Sequence, residues 1–290
     1  MPDHTRATCW LLTCTLLALT AAAHAADAAG VPFTVEDLVR LKRVSDPQVS
    51  PDGRQVAYVQ RETDMDANKG RTSLWLLELN SPAAPPRRLT DVKANDSSPR
   101  WSADGATLYF LSNRSGTQQV WRLAVGGGEA QRVSDYPLEV GAFKVSPHGE
   151  HLALTMEVFP DCTTLACTRA RLDARAKDKA TGRLYERLFV RHWDSWSDGT
   201  RSHLFSAPLR KGVAAATPVD VSQGMDADIP SKPFGGDEDF DFSPDGKQLV
   251  FSARIAQRSE AWSTNFDLFQ APTDGSAAPA NLTANNPAWD

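Results

Sequence analysis

A four-residue turn motif that recurs four times constrains the fold of this chain more than any other feature. The copies are Ser50-Pro51-Asp52-Gly53, Ser102-Ala103-Asp104-Gly105, Ser146-Pro147-His148-Gly149 and Ser243-Pro244-Asp245-Gly246. Where proline is present it presets φ, an aspartate can bond back to the backbone, and the final glycine supplies φ > 0. The repetition predicts the same tight turn at four places in one architecture.

Strand patterns surround each copy of this turn motif, the tetrad. A short strand leads into it, an alternating apolar and polar strand follows, and a third and a fourth strand complete the unit. The third strands are predicted at 74–79, 119–123, 204–209 and 267–271, and the fourth at 88–90, 132–134, 220–222 and 281–283. Four antiparallel strands in a unit of roughly 45 residues are typical of a β-propeller blade. Unrelated hairpins would explain one copy but not four.

The repeats predict an all-β fold, a β-propeller with four four-stranded blades and the start of a fifth. We place the blades at 45–90, 96–134, 141–222 and 237–283, with a fifth beginning at 286. Propellers usually close with more than four blades, so we expect this chain to be a fragment of a longer protein. The third blade contains a partly helical, charged insertion at 159–200. Such insertions often lie on the binding face, although shielding of a blade edge is the alternative.

The N-terminus resembles a secretory signal peptide covering residues 1–25. A polar start with His4 and Arg6 precedes an apolar run, which ends in the small-residue cleavage site Ala23-His24-Ala25. No later segment is long and apolar enough to span a bilayer. We therefore expect a secreted or periplasmic protein with no membrane insertion after cleavage. Residues 26–44 form a leader segment that contains a short helix.

Composition narrows the choice of partners. The chain is 41% hydrophobic and 23% charged, as is usual for a globular protein, and its formal net charge is −5. No basic stripe with interleaved aromatic residues is present, so nucleic acid is not an expected partner. The sequence indicates no cofactor and no metal, and it leaves the oligomeric state open.

The two cysteines outside the predicted signal peptide are Cys162 and Cys167. In an oxidising compartment such a pair favours a local disulfide. A metal site would need further ligands, and no histidines or cysteines cluster nearby. We predict the disulfide, which pins local shape more than it adds global stability.

Several segments outside the tetrads are more specific than the repeat itself. The stretch 33–47 runs directly into the first tetrad, and the others are Arg191-His192-Trp193-Asp194, Asp198-Gly199-Thr200-Arg201 and the run from Gly235 to Phe240. Together these segments resemble the prolyl oligopeptidase family. The resemblance covers nearly all of the chain after the signal and is greatest to secreted bacterial dipeptidyl and acylaminoacyl peptidases. It implies a propeller that restricts access to an α/β-hydrolase domain C-terminal to it, where the catalytic Ser, Asp and His lie.

The chain itself departs from that family in its catalytic residues. A nucleophile elbow needs Gly-x-Ser-x-Gly on a strand-to-helix turn, and no such pentad occurs here. His148, His151 and His203 are each expected to be surface or packing residues. We assign no catalytic residue, because a triad needs nucleophile, base and orienting group together. This chain alone is predicted to be inactive.

The resemblance also implies propeller groups that hold the amino terminus of a short peptide. Glu238, within Asp237-Glu238-Asp239, is the candidate, because a carboxylate can neutralise an ammonium and accept its hydrogen bonds. A solvated loop is the alternative. Trp193 and Trp196 could line an apolar side-chain subsite or could pack the insertion. Calcium binding by the acidic run is disfavoured by its spacing.

Together these observations predict the substrate-gating propeller of a secreted serine exopeptidase. Such an enzyme would release dipeptides or acylated residues from peptide N-termini. The alternative is a Tol-type periplasmic propeller that binds other envelope proteins and uses the same tetrad. The leader and the third-blade insertion favour the peptidase, because a plain scaffold propeller needs neither.

Overall fold

The computed structural model describes residues 30–81, 83–185, 191–192, 195–255 and 257–286. The predicted signal peptide therefore lies outside the described residues. The chain divides into two units, Met1–Leu41 and Lys42–Asp290. The first contains helix α1 (Val35–Arg40), which begins with a capping box. The Asp37 N–H donates to Thr34 Oγ1 (3.2 Å), and the Thr34 N–H donates to Asp37 Oδ2 (2.9 Å).

The described residues of the second unit include four antiparallel blade sheets, which follow one another along the chain as blades 1 to 4, and a separate two-stranded hairpin within blade 3. Blade 1 has strands β1 (Arg43–Val49), β2 (Gln55–Asp64), β3 (Lys69–Glu78) and β4 (Arg87–Arg88). Blade 2 has β5 (Asp96–Trp101), β6 (Thr107–Ser112), β7 (Gln119–Ala124) and β8 (Gln131–Arg132). The strands are hydrogen-bonded in chain order, and the first strands of consecutive blades contact each other.

Blade 3 carries the insertion between its second and third strands. Its strands β9 (Phe143–Val145) and β10 (His151–Val158) precede helix α2 (Leu165–Lys177) and the short hairpin β11 (Arg191–His192) and β12 (Ser195–Trp196). Strand β13 (Arg201–Arg210) then pairs with two short strands, β14 (Val213–Ala214) and β15 (Val219–Asp220). Blade 4 has β16 (Phe240–Phe242), β17 (Gln248–Ala253), β18 (Asp267–Pro272) and β19 (Ala280–Asn281). The predicted propeller of four-stranded blades with a partly helical insertion is confirmed.

The tetrad forms the same turn in every blade. Each glycine has φ between 69° and 71°, and its N–H donates to the carbonyl of the tetrad serine. Each serine Oγ accepts the N–H five residues later, at 2.9 or 3.0 Å. In blades 1, 2 and 4 the same hydroxyl donates to the tetrad aspartate at 2.6 Å. His148 replaces that aspartate in blade 3, so the turn there lacks this acceptor.

A second repeated contact closes the outer edge of each blade. The fourth strands are only two residues long, and a hydroxyl just beyond each one accepts an N–H of the third strand that would otherwise be unpaired. The donor and acceptor pairs are Leu74 and Thr90, Val120 and Ser134, Leu204 and Ser222, and Leu268 and Thr283, at 2.9–3.1 Å. These hydroxyls explain why every predicted fourth strand ends in serine or threonine.

Apolar clusters lie between consecutive blades. The first joins Ala57, Val59 and Leu74 of blade 1 to Leu108 and Phe110 of blade 2. A second cluster joins blades 2 and 3, and a third joins blades 3 and 4. Each internal blade therefore buries both of its faces, which is the packing expected of a propeller.

Two of the third strands begin earlier than the sequence pattern predicts. Strand β3 begins at Lys69 rather than at 74, because its first residues pair with the polar end of β2 and show no apolar alternation. Strand β13 begins at Arg201 rather than at 204, because its first residues pair with the end of β10. Helix α2 begins at Leu165, where Thr164 accepts the N–H of Cys167 and caps the first turn.

Candidate functional site

The segment before blade 4 forms a short 3-10 helix, Asp237–Asp239, behind two glycines. A Cβ on Gly235 would lie 2.3 Å from Asp239 Oδ2 and 2.5 Å from the Ser231 carbonyl oxygen, so only glycine fits. The Gly235 N–H donates to that carbonyl at 2.7 Å. Close backbone approach at this glycine therefore folds the acidic run into a tight turn.

The three consecutive carboxylates of this turn have different environments. Asp239 Oδ2 accepts from the Ser231 N–H (2.9 Å) and hydroxyl (3.0 Å). Asp237 Oδ2 accepts from Arg100 Nη2 at 2.7 Å. Glu238 is exposed, and its carboxylate has no hydrogen-bond or ion-pair partner among the described residues. The turn thus fixes both outer acids and leaves the middle one free.

Gly236 sets where the Glu238 carboxylate can lie. A Cβ on Gly236 would be 2.4 Å from Glu238 Oε2, so the carboxylate occupies the space that a side chain would fill. The backbone of Gly236 is extended, with φ −138° and ψ −157°, which any residue can adopt. An alanine here would therefore displace the Glu238 side chain without straining the backbone.

Arg100 connects the turn to two other blades. Its Nη1 donates to both carboxylate oxygens of Asp46 (2.9 and 3.0 Å) and to the Pro99 carbonyl (2.7 Å), while Nη2 reaches Asp237. The side chain is only 13% exposed. Burial by itself lowers the pKa of the guanidinium, but the hydrogen bond to Asp237 and the charges of Asp46 and Asp237 outweigh it and raise the pKa.

Backbone irregularities aim Arg100 and Asp46 at each other. Strands β1 and β5 both have a register shift, between Ser45 and Gln48 and between Ser97 and Arg100. Within these shifts Asp46 has φ 48° and Ser98 has φ 54°. A bulge of this kind re-aims a side chain away from the regular strand direction.

Arg100 also belongs to a set of equivalent positions, two residues before each tetrad serine. The set consists of Gln48, Arg100, Lys144 and Asp241. Gln48 Nε2 donates to Asp46 (2.7 Å), and Lys144 Nζ lies 3.1 Å from Asp241. The first strands of the blades therefore present a linked row of polar and charged groups.

A second ionic cluster lies at the base of the insertion. Arg201, the first residue of β13, binds Asp226 (2.8 Å), Asp228 (2.9 Å) and Glu260 (2.6 Å). Its hydrogen bond to Glu260 is the main cause that raises the pKa of Arg201. Lys232 joins Glu157, at the end of β10, to Asp228. The cluster connects both ends of the insertion to blade 4 and to the link that leads to Glu238.

Contacts within the insertion anchor α2 to blade 3. A disulfide joins Cys162 to Cys167 at the start of the helix. Phe159 is buried between the guanidinium groups of Arg171 and Arg175, each 4.5 Å from its ring. Arg171 also binds both oxygens of Asp161, at 2.7 and 2.8 Å. The helix is therefore held by covalent, ionic and aromatic contacts together.

Of the two candidate tryptophans, the structure describes Trp196 but not Trp193. Trp193 lies outside the described residues. Trp196 is 53% exposed, packs its ring 5.7 Å from Tyr185, and has the Arg191 guanidinium 5.2 Å above it. No contact joins Trp196 to Glu238 in the part of the chain that the structure describes.

The three histidines occupy ordinary structural positions. His203 is buried, with Nδ1 2.8 Å from Asp220 and Nε2 3.0 Å from the Met225 carbonyl oxygen. His151 Nδ1 is 3.2 Å from the Ser206 hydroxyl, and His148 is exposed in its tetrad. Over the described ranges, no group of three or more His, Cys, Asp or Glu side chains is arranged to hold a metal, and no helix is long and apolar enough to cross a membrane.

Sequence reasoning missed Arg100, Asp46 and Ser231. The contact between Arg100 and Asp237 spans 137 positions, so no local pattern could have revealed it. For Arg100, the one sequence signal was that an arginine stands where the equivalent position of blade 1 has Gln48. For the turn, the paired glycines before the acidic run were a stronger signal, since they indicated a tight turn.

The chain is similar to a propeller family and to bacterial peptidases. A family model described as a TolB β-propeller domain matches residues 42–165. Dipeptidyl-peptidase 5 of Porphyromonas gingivalis is 30% identical over 247 residues, which cover 83% of this chain and 34% of that protein. Peptidase YuxL of Bacillus subtilis, described as uncharacterized, is 30% identical over 231 residues, 79% of this chain and 32% of that protein.

Among solved structures, an acylaminoacyl peptidase of Pyrococcus horikoshii superposes with a TM-score of 0.57 at 13% identity. The match covers 87% of this chain and 34% of that chain and shows a shared fold. This chain spans about a third of the length of the curated relatives it matches. The predicted resemblance to the propeller part of these peptidases is confirmed.

Proposed function

Because this chain is a propeller that resembles the N-terminal part of dipeptidyl and acylaminoacyl peptidases, we propose that it gates access to the active site of a serine exopeptidase. The observation that carries the proposal is the 30% identity to dipeptidyl-peptidase 5 over 247 residues. The catalytic groups would then belong to a hydrolase domain outside these residues. The substrates would be short peptides, and the protein would act in the periplasm or outside the cell.

Within this function we propose Glu238 as the anchor for a substrate amino terminus. An ammonium group carries a full charge and several N–H donors, and an ionised carboxylate both neutralises the charge and accepts the hydrogen bonds. Glu238 is suited to this role because its two acidic neighbours are already bound while its own carboxylate is free. Trp196, with an exposed ring, and Trp193 remain candidates for an apolar side-chain subsite.

The test of the reaction class uses the longest product of the reading frame that contains this chain. It should hydrolyse dipeptidyl or acyl-alanyl chromogenic substrates, whereas the 290-residue chain should not. If the longer product cleaves neither substrate, the peptidase proposal fails.

The anchor role has a sharper test in the same product. Glu238→Gln should raise KM for substrates with a free amino terminus by roughly 10-fold, the effect of one charge-assisted hydrogen bond, and leave acyl-blocked substrates unchanged. The matched control is Glu129→Gln, which makes the same charge change in the exposed turn between β7 and β8. Equal effects on blocked and free substrates would contradict the anchor role.

A second candidate is a Tol-type propeller that binds other envelope proteins. The match of residues 42–165 to a TolB propeller model favours it. It would replace the peptidase function if the reading frame encodes only further blades.

A further inference from the structure

Two contacts fix the turn that carries Glu238, one from within the same link and one from another blade. Asp239 is fixed by Ser231, only 8 positions away, within the same link. Asp237 is fixed by Arg100, which belongs to blade 2 and also binds Asp46 of blade 1. The contact with Ser231 shapes the turn, whereas the contact with Arg100 joins the turn to blades 1 and 2.

Arg100 brings together two carboxylates that would otherwise repel each other. Asp46 and Asp237 contact Nη1 and Nη2 of one guanidinium group, and both are less than one-third exposed. A planar guanidinium can serve two carboxylates at fixed angles, which an ammonium cannot do. Without it, two partly buried like charges would face each other, and their repulsion would favour a shift of the turn away from Asp46.

We propose that Arg100 is the positioning residue of the Glu238 anchor. It does not touch the ligand. By fixing Asp237 it holds the free carboxylate of Glu238 at a defined place beside the first strands of blades 1 and 2. The inference rests on the proposed role of Glu238.

Electrostatics and positioning predict opposite effects when Arg100 is removed. Loss of a positive charge beside Glu238 makes the site more negative, so a purely electrostatic role predicts tighter binding of an ammonium. A positioning role predicts weaker binding, since the carboxylate is no longer held where the ammonium docks. The direction of the change therefore separates the two explanations.

The first experiment measures KM and kcat of the longest reading-frame product on free-amine and acyl-blocked chromogenic substrates. Arg100→Gln should raise KM for free-amine substrates roughly 10-fold, as for loss of one ionic hydrogen bond, with no change for blocked ones. Arg100→Lys keeps the charge and should restore part of the loss. Gly236→Ala, which displaces the carboxylate without removing it, should act like Arg100→Gln. Arg122→Gln is the control and should have no effect, because it makes the same charge change on β7 of the same blade, where the guanidinium binds only Gln131 among the described residues.

The second experiment needs no ligand and covers the case in which a variant binds poorly for other reasons. Hydrogen–deuterium exchange of the 290-residue chain reports on the Asp239 N–H, which donates to Gly236, and on the Ser231 N–H, which donates to Asp239. Arg100→Gln should accelerate exchange across 231–240 and leave the tetrads protected. Arg122→Gln should leave 231–240 unchanged.

The outcomes distinguish this inference from the proposed function. If Glu238→Gln raises KM but Arg100→Gln leaves it unchanged or lowers it, positioning is refuted while the anchor survives. If Glu238→Gln has no effect, the anchor fails, and with it the inference. Unchanged exchange across 231–240 in Arg100→Gln also overturns the inference, whatever the kinetics show.

Discussion

At the residue scale, the tetrads show how one side chain decides the strength of a repeated turn. In blades 1, 2 and 4 the tetrad aspartate accepts both the serine hydroxyl and the N–H two residues later. Blade 3 has the same backbone with His148 in that place. Blade 3 therefore shows the same turn without the carboxylate acceptor that the other three tetrads have.

His148→Asp should stabilise blade 3, because the new carboxylate can accept the Ser146 hydroxyl as its three counterparts do. We expect the Tm to rise by about 1–2 °C, as for a single favourable surface substitution. His148→Ala is the control, since it removes the ring without adding an acceptor. A Tm below that of His148→Ala would contradict this account of the tetrad.

Acid should weaken the three aspartate tetrads. Hydrogen bonds from the serine hydroxyl and from the backbone lower the pKa of Asp52, Asp104 and Asp245. A group whose pKa is lowered on folding stabilises the fold above its unfolded pKa, and the contribution is lost as pH falls through the folded pKa. Asp104→Asn should reduce stability at pH 7 and flatten its dependence on pH below about 4. Urea titrations at several pH values test this, with exposed Asp66→Asn as control.

His203 should matter more for stability than any other histidine of the blades. It is buried, and its two ring nitrogens contact Asp220 and the Met225 carbonyl. His203→Phe keeps an aromatic ring but removes the contacts with Asp220 Oδ2 and with the buried Met225 carbonyl, which should cost about 2–4 kcal/mol in the free energy of unfolding. His151→Phe loses one contact to Ser206 and should cost less than about 1.5 kcal/mol. Chemical denaturation of both variants makes the comparison.

At the element scale, the insertion is anchored redundantly. The disulfide closes a loop of only a few residues, while Phe159, packed between Arg171 and Arg175, ties α2 to the end of β10. Aromatic packing with two guanidinium groups is the larger contribution, because a short loop has little closure entropy to lose.

Phe159→Ala should therefore destabilise the protein more than loss of the disulfide. We expect about 3–5 kcal/mol for Phe159→Ala and about 2 kcal/mol or less for Cys162→Ser with Cys167→Ser. Hydrogen exchange in the double serine variant should increase only in the first turn of α2. Exchange spread over the whole helix would show that the disulfide is the main anchor.

At the scale of the whole molecule, equivalent positions in the four blades reveal an uncovered face. Leu74, Val120 and Leu204 are fully buried by the following blade, whereas Leu268 is 46% exposed at the same position of blade 4. The fourth-strand residues repeat this difference, since Val133 and Val221 are buried and Leu282 is 54% exposed. Blade 4 thus presents an apolar face that its counterparts bury.

We expect this face to receive a further blade packed as blades 2, 3 and 4 pack on their predecessors. Leu268→Glu combined with Leu282→Glu should reduce self-association of the 290-residue chain without lowering its Tm, since these side chains are already exposed. The same pair in a product extended by one blade should lower the Tm. Light scattering and thermal unfolding of both products measure the two effects, and an unchanged Tm in the extended product would contradict the packing.

The blades could be predicted from the amino-acid sequence, because their signals are local. The Ser-x-x-Gly turn, the alternation of β2, β6, β10 and β17, and the terminal hydroxyls all act within a few residues, and they repeat four times. The helix in the insertion and the pairing of the two cysteines could be predicted for the same reason. The ends of strands were harder to predict, because the polar start of β3 pairs through its backbone and carries no apolar pattern.

The arrangement of the candidate site depends on contacts between distant parts of the chain. The sequence could single out Glu238 in the acidic run. It could not show that Asp237 and Asp239 are bound while the carboxylate of Glu238 is free. That difference depends on Arg100, 137 positions from Asp237, and on bulges in β1 and β5 that aim Arg100 and Asp46 at each other. Contacts between blades are set by the packing of whole sheets, and no local pattern of residues encodes which charges that packing brings together.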